Sequence, residues 1–243
     1  MTCYAVSDIH GMYDIYEQIC NYIGPKDRVY FLGDAADRGP DGFKCMKAIY
    51  ENPQWVYMKG NHEDLMVKAL KELQDEDNYD YYNFDLWMMN GGQSTYDAWC
   101  LDGCDYSWIE KLENLPLYLE YSNDEYLFHL THAGFTCGKK EQLEENQLLW
   151  NRHHFLDKWD EENHGNEICI HGHTPIFYLI EKLDEAYYRI DKHKHDYLSR
   201  APLALFYCDK HKICIDNGVF LTKSMVMYNL DEMRGISFYC RER

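Results

Sequence analysis

Basic residues are scarce in this 243-residue sequence, where 24 Lys and Arg stand against 42 Asp and Glu and the formal net charge is −18. Such a charge repels polyanions at long range, which argues against a nucleic-acid-binding protein with a basic groove and against attachment to anionic membranes. We therefore expect neither nucleic acid nor membrane among the partners. Any phosphate that binds must meet positive charge supplied locally, and bound metal ions are the strongest local source of it.

Long apolar runs and Cys-x-x-Cys pairs are also missing. No run approaches membrane-spanning length, and the first polar motif begins at Asp8, which leaves no room for a signal peptide. Among the 10 cysteines, Cys100 and Cys104 come nearest to a metal-binding pair. Others, such as Cys3 and Cys45, lie in apolar runs typical of small core residues. These features predict reduced thiols and a cytoplasmic location.

Low hydrophobicity, the mark of a disordered chain, is absent too, since 46% of the residues are hydrophobic and 16% are aromatic. The composition predicts a globular protein. The length fits one large α/β domain over residues 1–243 that carries a small cap, and it is sufficient to bury a sizeable core.

Three apolar runs near the start of the chain, at 2–7, 29–32 and 55–58, are each followed by a polar motif and then by apolar residues at helical spacing. This pattern predicts three successive strand-loop-helix units, which indicate a layered α/β fold. Ligand sites in such sheets lie at the carboxyl ends of the strands, where these polar motifs fall.

The rest of the chain divides into two regions. Residues 74–115 are acidic and aromatic and predict a helical cap, in which Asn90-Gly91-Gly92 separates two helices. Residues 117–121 and 126–131 predict an antiparallel hairpin. Short strands are then expected at 168–171, 203–208, 213–215 and 224–230, giving the sheet an antiparallel half.

Five polar motifs recur in a fixed order and provide the candidate metal ligands: Asp8-Ile9-His10-Gly11, Gly33-Asp34-Ala35-Ala36-Asp37-Arg38-Gly39, Gly60-Asn61-His62-Glu63, Thr131-His132-Ala133-Gly134 and Gly172-His173-Thr174. Alternate residues of an extended chain share a face, so Asp8 and His10 can chelate one ion. Asp34 can bridge to a second ion, and the remaining donors are Asn61, His132 and His173. Carboxylate, amide and imidazole ligands without thiolate suit Mn, Fe or Zn.

Some of these residues also have a purely structural interpretation. Asp8, Asp34 and Asn61 follow strands at positions where Asp and Asn commonly cap a helix. One such loop would favour capping, whereas three loops with His partners favour metal binding. Arg38 in isolation is typical of a surface arginine, and the alkyl chain of Arg152 could simply lie against Trp150 with its charge in water.

The ordered motifs resemble those of the calcineurin-like metallophosphoesterase superfamily, and within it the phosphoprotein phosphatase family of Ser/Thr phosphatases, in particular the small bacterial and bacteriophage lambda type. The resemblance covers nearly the whole chain and extends to Asn90-Gly91-Gly92, Trp150-Asn151-Arg152, Gly172-His173-Thr174-Pro175 and Ile215-Asp216-Asn217-Gly218. Ala36 and Ala133 depart from the usual residues but leave the ligands in place. The resemblance implies a layered α-β-β-α sandwich with mixed sheets, a dimetal site at the carboxyl ends of the strands and a small helical cap insertion.

The resemblance also implies roles for single residues. Two divalent ions, Mn²⁺ first with Fe or Zn as alternatives, would be held by Asp8, His10, Asp34, Asn61, His132 and His173. A hydroxide that bridges the ions would attack phosphorus directly and in line. His62 would protonate the leaving group with Asp37 as its partner. Arg38, Arg152 and Asn61 would bind the phosphate oxygens.

These roles predict a protein phosphatase of Ser/Thr or dual specificity, with a phosphoprotein or phosphopeptide as substrate and no obligatory subunit. The alternative is a symmetrical diadenosine tetraphosphate hydrolase. That sister family typically shows GNHD and a changed DRG segment, whereas this chain has Glu63 and an intact Asp37-Arg38-Gly39. A phosphodiesterase is a weaker alternative, and a binding module without turnover is disfavoured because every expected ligand and acid position is filled.

Overall fold

The computed structural model describes residues 1–75, 77, 80–135, 143–183, 188–190, 204–207 and 210–241, whose strands, numbered in chain order, form two sheets. The first sheet contains β1 (Cys3–Val6), β2 (Arg28–Phe31), β3 (Trp55–Tyr57), β10 (Ser224–Asn229) and β11 (Arg234–Tyr239). Its strand order is β11-β10-β1-β2-β3. β1, β2 and β3 run parallel, and β10 is antiparallel to both of its neighbours.

The second sheet contains β4 (Tyr118–Ser122), β5 (Leu127–Thr131), β6 (Glu167–His171), β7 (Tyr188–Ile190), β8 (Leu205–Tyr207) and β9 (Lys212–Cys214). Its strand order is β4-β5-β6-β9-β8-β7. The central strands β5, β6 and β9 are parallel. The outer pairings, β4 with β5, β9 with β8 and β8 with β7, are antiparallel.

Helices follow the parallel strands of both sheets. The first three, each after one strand of the first sheet, are α1 (Tyr13–Tyr22), α2 (Gly42–Glu51) and α3 (Asn61–Gln74). The cap region supplies α4 (Tyr82–Met89), α5 (Gln93–Leu101) and α6 (Ser107–Glu113). The second half adds α7 (Glu145–Trp150), α8 (Glu161–His164), α9 (Ile176–Lys182), α10 (Val219–Thr222) and a 3₁₀ turn at His154–Leu156.

Alternate side chains of β1 pack into two different cores and so join the layers of the fold. Cys3 and Ala5 belong to a core between the two sheets, which they share with residues such as Phe128 and Ile170 of the second sheet. The intervening residues of β1 belong to a second core, formed with the apolar faces of α1, α2 and α3. Because successive residues of a strand point to opposite faces, a single apolar strand joins both layers.

The cap helices continue the core between the first sheet and its helices. Trp87, Trp99 and Trp108 are 0%, 2% and 3% exposed and belong to that core. α4 packs on α3, and α5 packs on α2. The aromatic residues that distinguish this region in the sequence therefore include three that fix the cap to the body of the protein.

The predicted fold class is confirmed: the chain has two mixed sheets with helices, including helices in the cap region. The structure differs in how the late strands are placed, because β6 and β9 extend a parallel arrangement while β10 crosses to the first sheet. The cap boundaries at 74–115 and the single domain over 1–243 stay predictions. In the part of the chain that is described, no helix combines the length and the apolar character that a membrane crossing requires.

Candidate metal centre

The predicted ligands meet at the carboxyl ends of the parallel strands. Each follows β1, β2, β5 or β6, except Asn61, which begins α3 after β3. None exposes more than 5% of its surface: Asp8, His10, Asp34, Asn61, His132 and His173. Burying so many polar groups in one place is unfavourable unless they are paired or bind a ligand, so the cluster requires a functional explanation.

The backbone at this cluster is unusual. Positive φ angles occur at Asp8 (54°), His10 (43°), Asp34 (63°) and His173 (64°), as well as at Asp37 (68°) and Arg38 (62°). Left-handed conformations cost non-glycine residues free energy and tend to collect at functional sites. Asp8 and His10 therefore reach the site from left-handed backbone conformations. The expectation that they share one face of an extended strand is wrong.

Two groups of donors lie close enough to hold metal ions, and they share Asp34. One group is His10, Asp34 and His62, the other is Asp8, Asp34 and His132, and the donor atoms within each group lie within 4.8 Å of one another. Oδ2 of Asp34 is 3.6 Å from Nε2 of His10, and Oδ1 is 3.5 Å from Nε2 of His132. Asp34 thus has one carboxylate oxygen directed towards each group, as a bridging ligand requires.

The outer hydrogen bonds of the histidines fix which nitrogens face the cluster. Nδ1 of His10 lies 3.0 Å from the carbonyl oxygen of Ala36, and Nδ1 of His132 lies 2.8 Å from that of Leu32. A carbonyl only accepts, so both Nδ1 atoms carry the proton and both Nε2 atoms present lone pairs. Partners of this kind orient imidazoles that bind metal.

Asn61 and His173 complete the donor set. Oδ1 of Asn61 lies 2.9 Å from Nε2 of His132 and 2.8 Å from Nδ1 of His173. Nε2 of His173 is buried and has no hydrogen-bond partner among the described residues. The lone pair of His132 thus faces an amide oxygen and a carboxylate, which is unfavourable without a cation. The donor set fits two divalent metal ions.

Electrostatics in the cluster favour the same conclusion. Burial, together with the charges of Asp8 and Glu63, raises the pKa of Asp34 well above its usual value. Burial and the charge of Arg38 lower the pKa of His10 well below its usual value. The imidazole is thereby kept neutral, as ligation requires, and a bound cation would favour the ionised form of Asp34.

The candidate acid lies at the edge of the cluster. His62 is fully buried, and its Nδ1 is 2.7 Å from Oδ2 of Asp37. Its Nε2 faces the cluster, 3.9 Å from Oδ2 of Asp34. Burial and the charge of Arg38 lower the pKa of His62 well below its usual value, whereas an ionised Asp37 favours its protonated form. The state of Asp37 therefore decides whether His62 can carry a second proton.

The two predicted phosphate-binding arginines are both exposed but differ in placement. Nη1 of Arg38 lies 3.0 Å from Nε2 of His10, and Nη2 lies 2.9 Å from Nε2 of His62. The guanidinium carbon is 5.0 Å from the ring centroid of Phe220, which forms an aromatic wall beside it. The charge of Arg152 contributes to lowering the pKa values of His62 and His173. Arg152 therefore lies within electrostatic range of the cluster.

Glu63 is a supporting residue whose role the sequence interpretation missed. Its Oε2 accepts hydrogen bonds from the backbone N–H of Asp34 and of Gly60, both at 2.8 Å. Its Oε1 accepts from the N–H of Ala35 at 2.9 Å and from the hydroxyl of Tyr57 at 2.7 Å. Glu63 stands three residues after Gly60 at the start of α3, and this capping-box spacing was the signal available in the sequence.

Gly172 explains why the last motif begins with glycine. A Cβ atom at this position would lie 1.9 Å from Oγ of Ser7 and 2.0 Å from Oδ2 of Asp8. The backbone N–H of His173 donates to the same carboxylate, at 3.0 Å from Oδ2. The absent side chain lets the β6 loop approach β1 closely enough to orient Asp8.

Comparison with characterised proteins gives relatives of more than one activity. The chain is 25% identical to Serine/threonine-protein phosphatase 1 of Salmonella typhimurium over 181 residues, which cover 71% of this chain and 78% of the relative. It is 23% identical to the asymmetrical Bis(5'-nucleosyl)-tetraphosphatase PrpE of Oceanobacillus iheyensis over 204 residues, which cover 70% and 76%. The two similarities are of comparable strength and extent.

Comparison with solved structures finds a protein whose fold resembles that of this chain. A solved structure assigned provisionally as a diadenosine tetraphosphatase superposes with a TM-score of 0.64 at 14% identity, covering 99% of this chain and 94% of that one. The profile of the family described as calcineurin-like phosphoesterase matches residues 1–177. With that match and the buried donor cluster, the chain belongs to the calcineurin-like metallophosphoesterase family.

Proposed function

We propose that this metallophosphoesterase is a protein phosphatase that hydrolyses phosphoserine and phosphothreonine monoesters, with Mn²⁺ as its metal. The observation that carries the proposal is the contact of one arginine with the cluster and with the acid: Arg38 meets both His10 and His62. A terminal phosphate group held by Arg38 would be next to the metal cluster and the proton donor at once.

In this proposal Asp8, His10 and Asp34 would hold one ion, and Asp34, Asn61, His132 and His173 would hold the other. Asp8 can serve the first ion although its donor group contains His132, because its Oδ1 is also 4.0 Å from Nε2 of His10. When bound, two adjacent divalent ions supply an activated water and positive charge at phosphorus. The protein orients the substrate. Arg38 and Arg152 donate hydrogen bonds to the non-bridging phosphate oxygens, which replace His10 and His62 as partners of the Arg38 guanidinium.

His62 then acts as the acid in the proposal. For this task it must carry protons on both ring nitrogens, Nδ1–H directed to Asp37 and Nε2–H directed to the leaving alkoxide. Asp37 stabilises the imidazolium through the contact at 2.7 Å. Proton transfer by a positioned acid contributes about 10²- to 10⁴-fold to rate, most of all where the leaving group is a poor one.

The competing function is hydrolysis of a dinucleoside tetraphosphate, which the Oceanobacillus relative supports. The Salmonella relative supports the monoesterase to a comparable extent. The monoesterase is favoured because Asp37, Arg38 and Glu63 match the residues that the resemblance gives to the protein phosphatases. Manganese is proposed because the resemblance implies it first, and carboxylate, amide and imidazole donors suit it as they suit Fe and Zn.

The test compares the two substrates directly. Metal-stripped protein is loaded with Mn²⁺ and given a phosphothreonine peptide or diadenosine tetraphosphate at equal concentration, and kcat/KM is measured for each. A preference for the peptide supports the proposal. A preference for the dinucleotide, with nucleotide products resolved by chromatography, overturns the proposed substrate class.

A further inference from the structure

Trp87 connects the cap to the candidate acid. It lies in α4 and is 0% exposed. Its indole Nε1 donates a hydrogen bond to Oδ2 of Asp37 at 2.9 Å. The same oxygen lies 2.7 Å from Nδ1 of His62. A tryptophan of the cap and the candidate acid therefore share a single carboxylate oxygen.

The remaining contacts of Asp37 show that few other groups hold its carboxylate in place. Its second oxygen, Oδ1, is buried and has no hydrogen-bond partner among the described residues. Its backbone, at φ 68°, donates from N–H to Oγ1 of Thr95 in α5 at 2.9 Å. Two cap helices thus hold Asp37, one at the backbone and one at the carboxylate.

The hydrogen bond from Trp87 also affects the charge state of the Asp37 carboxyl group. Burial raises the pKa of Asp37 to about 7, while contacts with Thr95 and Trp87 and the charge of Arg38 act in the opposite direction. A donor to a carboxylate favours its ionised form. The carboxylate oxygen that accepts from the indole N–H is the one that faces Nδ1 of His62, so loss of the indole N–H would leave the partner of the acid less firmly positioned.

We propose that Trp87 is a positioning residue for proton transfer, whose indole N–H holds the Asp37 carboxylate in place as the partner of His62. The inference rests on the proposed function, because it takes His62 as the acid. It assigns the cap helix α4 a part in the chemical step, in addition to its packing on α3.

Trp87 could instead serve only to pack the cap. Substrates whose leaving groups differ in their need for a proton distinguish this structural role from a role in proton transfer. A phosphothreonine peptide releases an alkoxide that requires a proton, whereas p-nitrophenyl phosphate releases a stabilised phenolate that does not. We expect Trp87→Phe to lower kcat on the peptide by about 10- to 100-fold and kcat on the aryl ester by less than about 3-fold. A loss of packing alone would lower both values equally.

Trp99 provides the matched control. It is also a buried cap tryptophan, 2% exposed, but its Nε1 donates to the backbone oxygen of Asp105 at 3.2 Å. Trp99→Phe removes the same chemical group from the same region without touching Asp37. We expect its effects on the peptide and the aryl ester to be equal within about 3-fold.

The experiment uses the Mn²⁺-loaded full chain, with metal binding by titration calorimetry and folding by circular dichroism measured for each variant. Selective loss in Trp87→Phe with wild-type Mn²⁺ affinity supports the inference, and equal loss on both substrates overturns it. If Trp87→Phe does not fold, Trp87→Met takes its place, since methionine also lacks the N–H donor and fills irregular core space; equal loss on both substrates in Trp87→Met would then overturn the inference. His62→Ala is measured in parallel: if it shows no selective loss on the peptide, the acid assignment in the proposed function fails, which is distinct from a failure confined to Trp87.

Discussion

Nη2 of Arg38 lies 2.9 Å from Nε2 of His62, so the candidate phosphate-binding arginine and the candidate acid are in direct contact. The contact places both side chains where they can act on the same phosphate ester. It also depends on the shape of the guanidinium, since Nη1 of Arg38 reaches His10 at the same time.

Arg38→Lys should therefore impair catalysis although the charge is kept, because an ammonium cannot reproduce two parallel N–H donors. Losing one charge-assisted hydrogen bond costs about 1.5–3 kcal/mol, which corresponds to a roughly 10- to 150-fold fall in kcat/KM on a phosphothreonine peptide. Arg28→Lys, at the exposed start of β2, is the control and should leave kcat/KM unchanged. Wild-type kcat/KM in Arg38→Lys would show that Arg38 does not bind the phosphate.

Glu63→Gln should destabilise the protein and weaken metal binding together. The carboxylate accepts hydrogen bonds from three backbone N–H groups and from a tyrosine hydroxyl. The amide nitrogen of a glutamine is itself a donor and could not accept the hydrogen bonds made to one of the two oxygens. Leaving such buried donors unsatisfied costs about 1–3 kcal/mol each in free energy of unfolding. Because this network holds the backbone of Asp34, the Mn²⁺ affinity of the Glu63→Gln variant should fall as well.

Denaturant unfolding and metal titration measure the two effects. Glu113→Gln is the control, since Glu113 is exposed and paired with Lys71 at the surface, where ion pairs contribute about 0–1 kcal/mol. A Glu63→Gln variant with wild-type stability and wild-type Mn²⁺ affinity would contradict the role assigned to Glu63.

Ile170→Ala tests the core between the two sheets. Ile170 lies in β6, is 0% exposed and packs in the inter-sheet core with Phe128. Truncating a buried isoleucine to alanine typically costs about 2–5 kcal/mol, measured as the free energy of unfolding in urea. Leu101→Ala, at a residue 90% exposed, should change it by less than about 0.5 kcal/mol. Equal effects of the two variants would be inconsistent with the sandwich arrangement.

The sequence predicted the features that depend on local pattern. The apolar runs that became β1, β2 and β3 and the helices after them follow from periodicity, and the placement of Asp34 follows from the position of ligand sites at strand ends. The hairpin of β4 and β5 also formed as predicted, with Leu119 opposite Leu130.

Features that depend on contacts distant in sequence were not predicted. β11 carries no clear alternation, since its burial is irregular at the edge of the sheet, and β10 joins the first sheet by pairing with β1 more than 200 residues away. The roles of Glu63 and Trp87 follow from which backbone groups and carboxylates they meet, which no local pattern specifies. The left-handed turns at Asp8 and His10 are imposed by the site, against residue preference.

The number of Mn²⁺ ions bound per chain at equilibrium, measured in the wild type and in Asp34→Asn, shows whether Asp34 bridges two metal sites. Asp34 belongs to both donor groups, so we expect two ions in the wild type and loss of tight binding at both positions in the variant. Asp27→Asn, a substitution outside the two donor groups, should still bind two. A single ion in the wild type, or two tightly bound ions in Asp34→Asn, would contradict a centre bridged by Asp34.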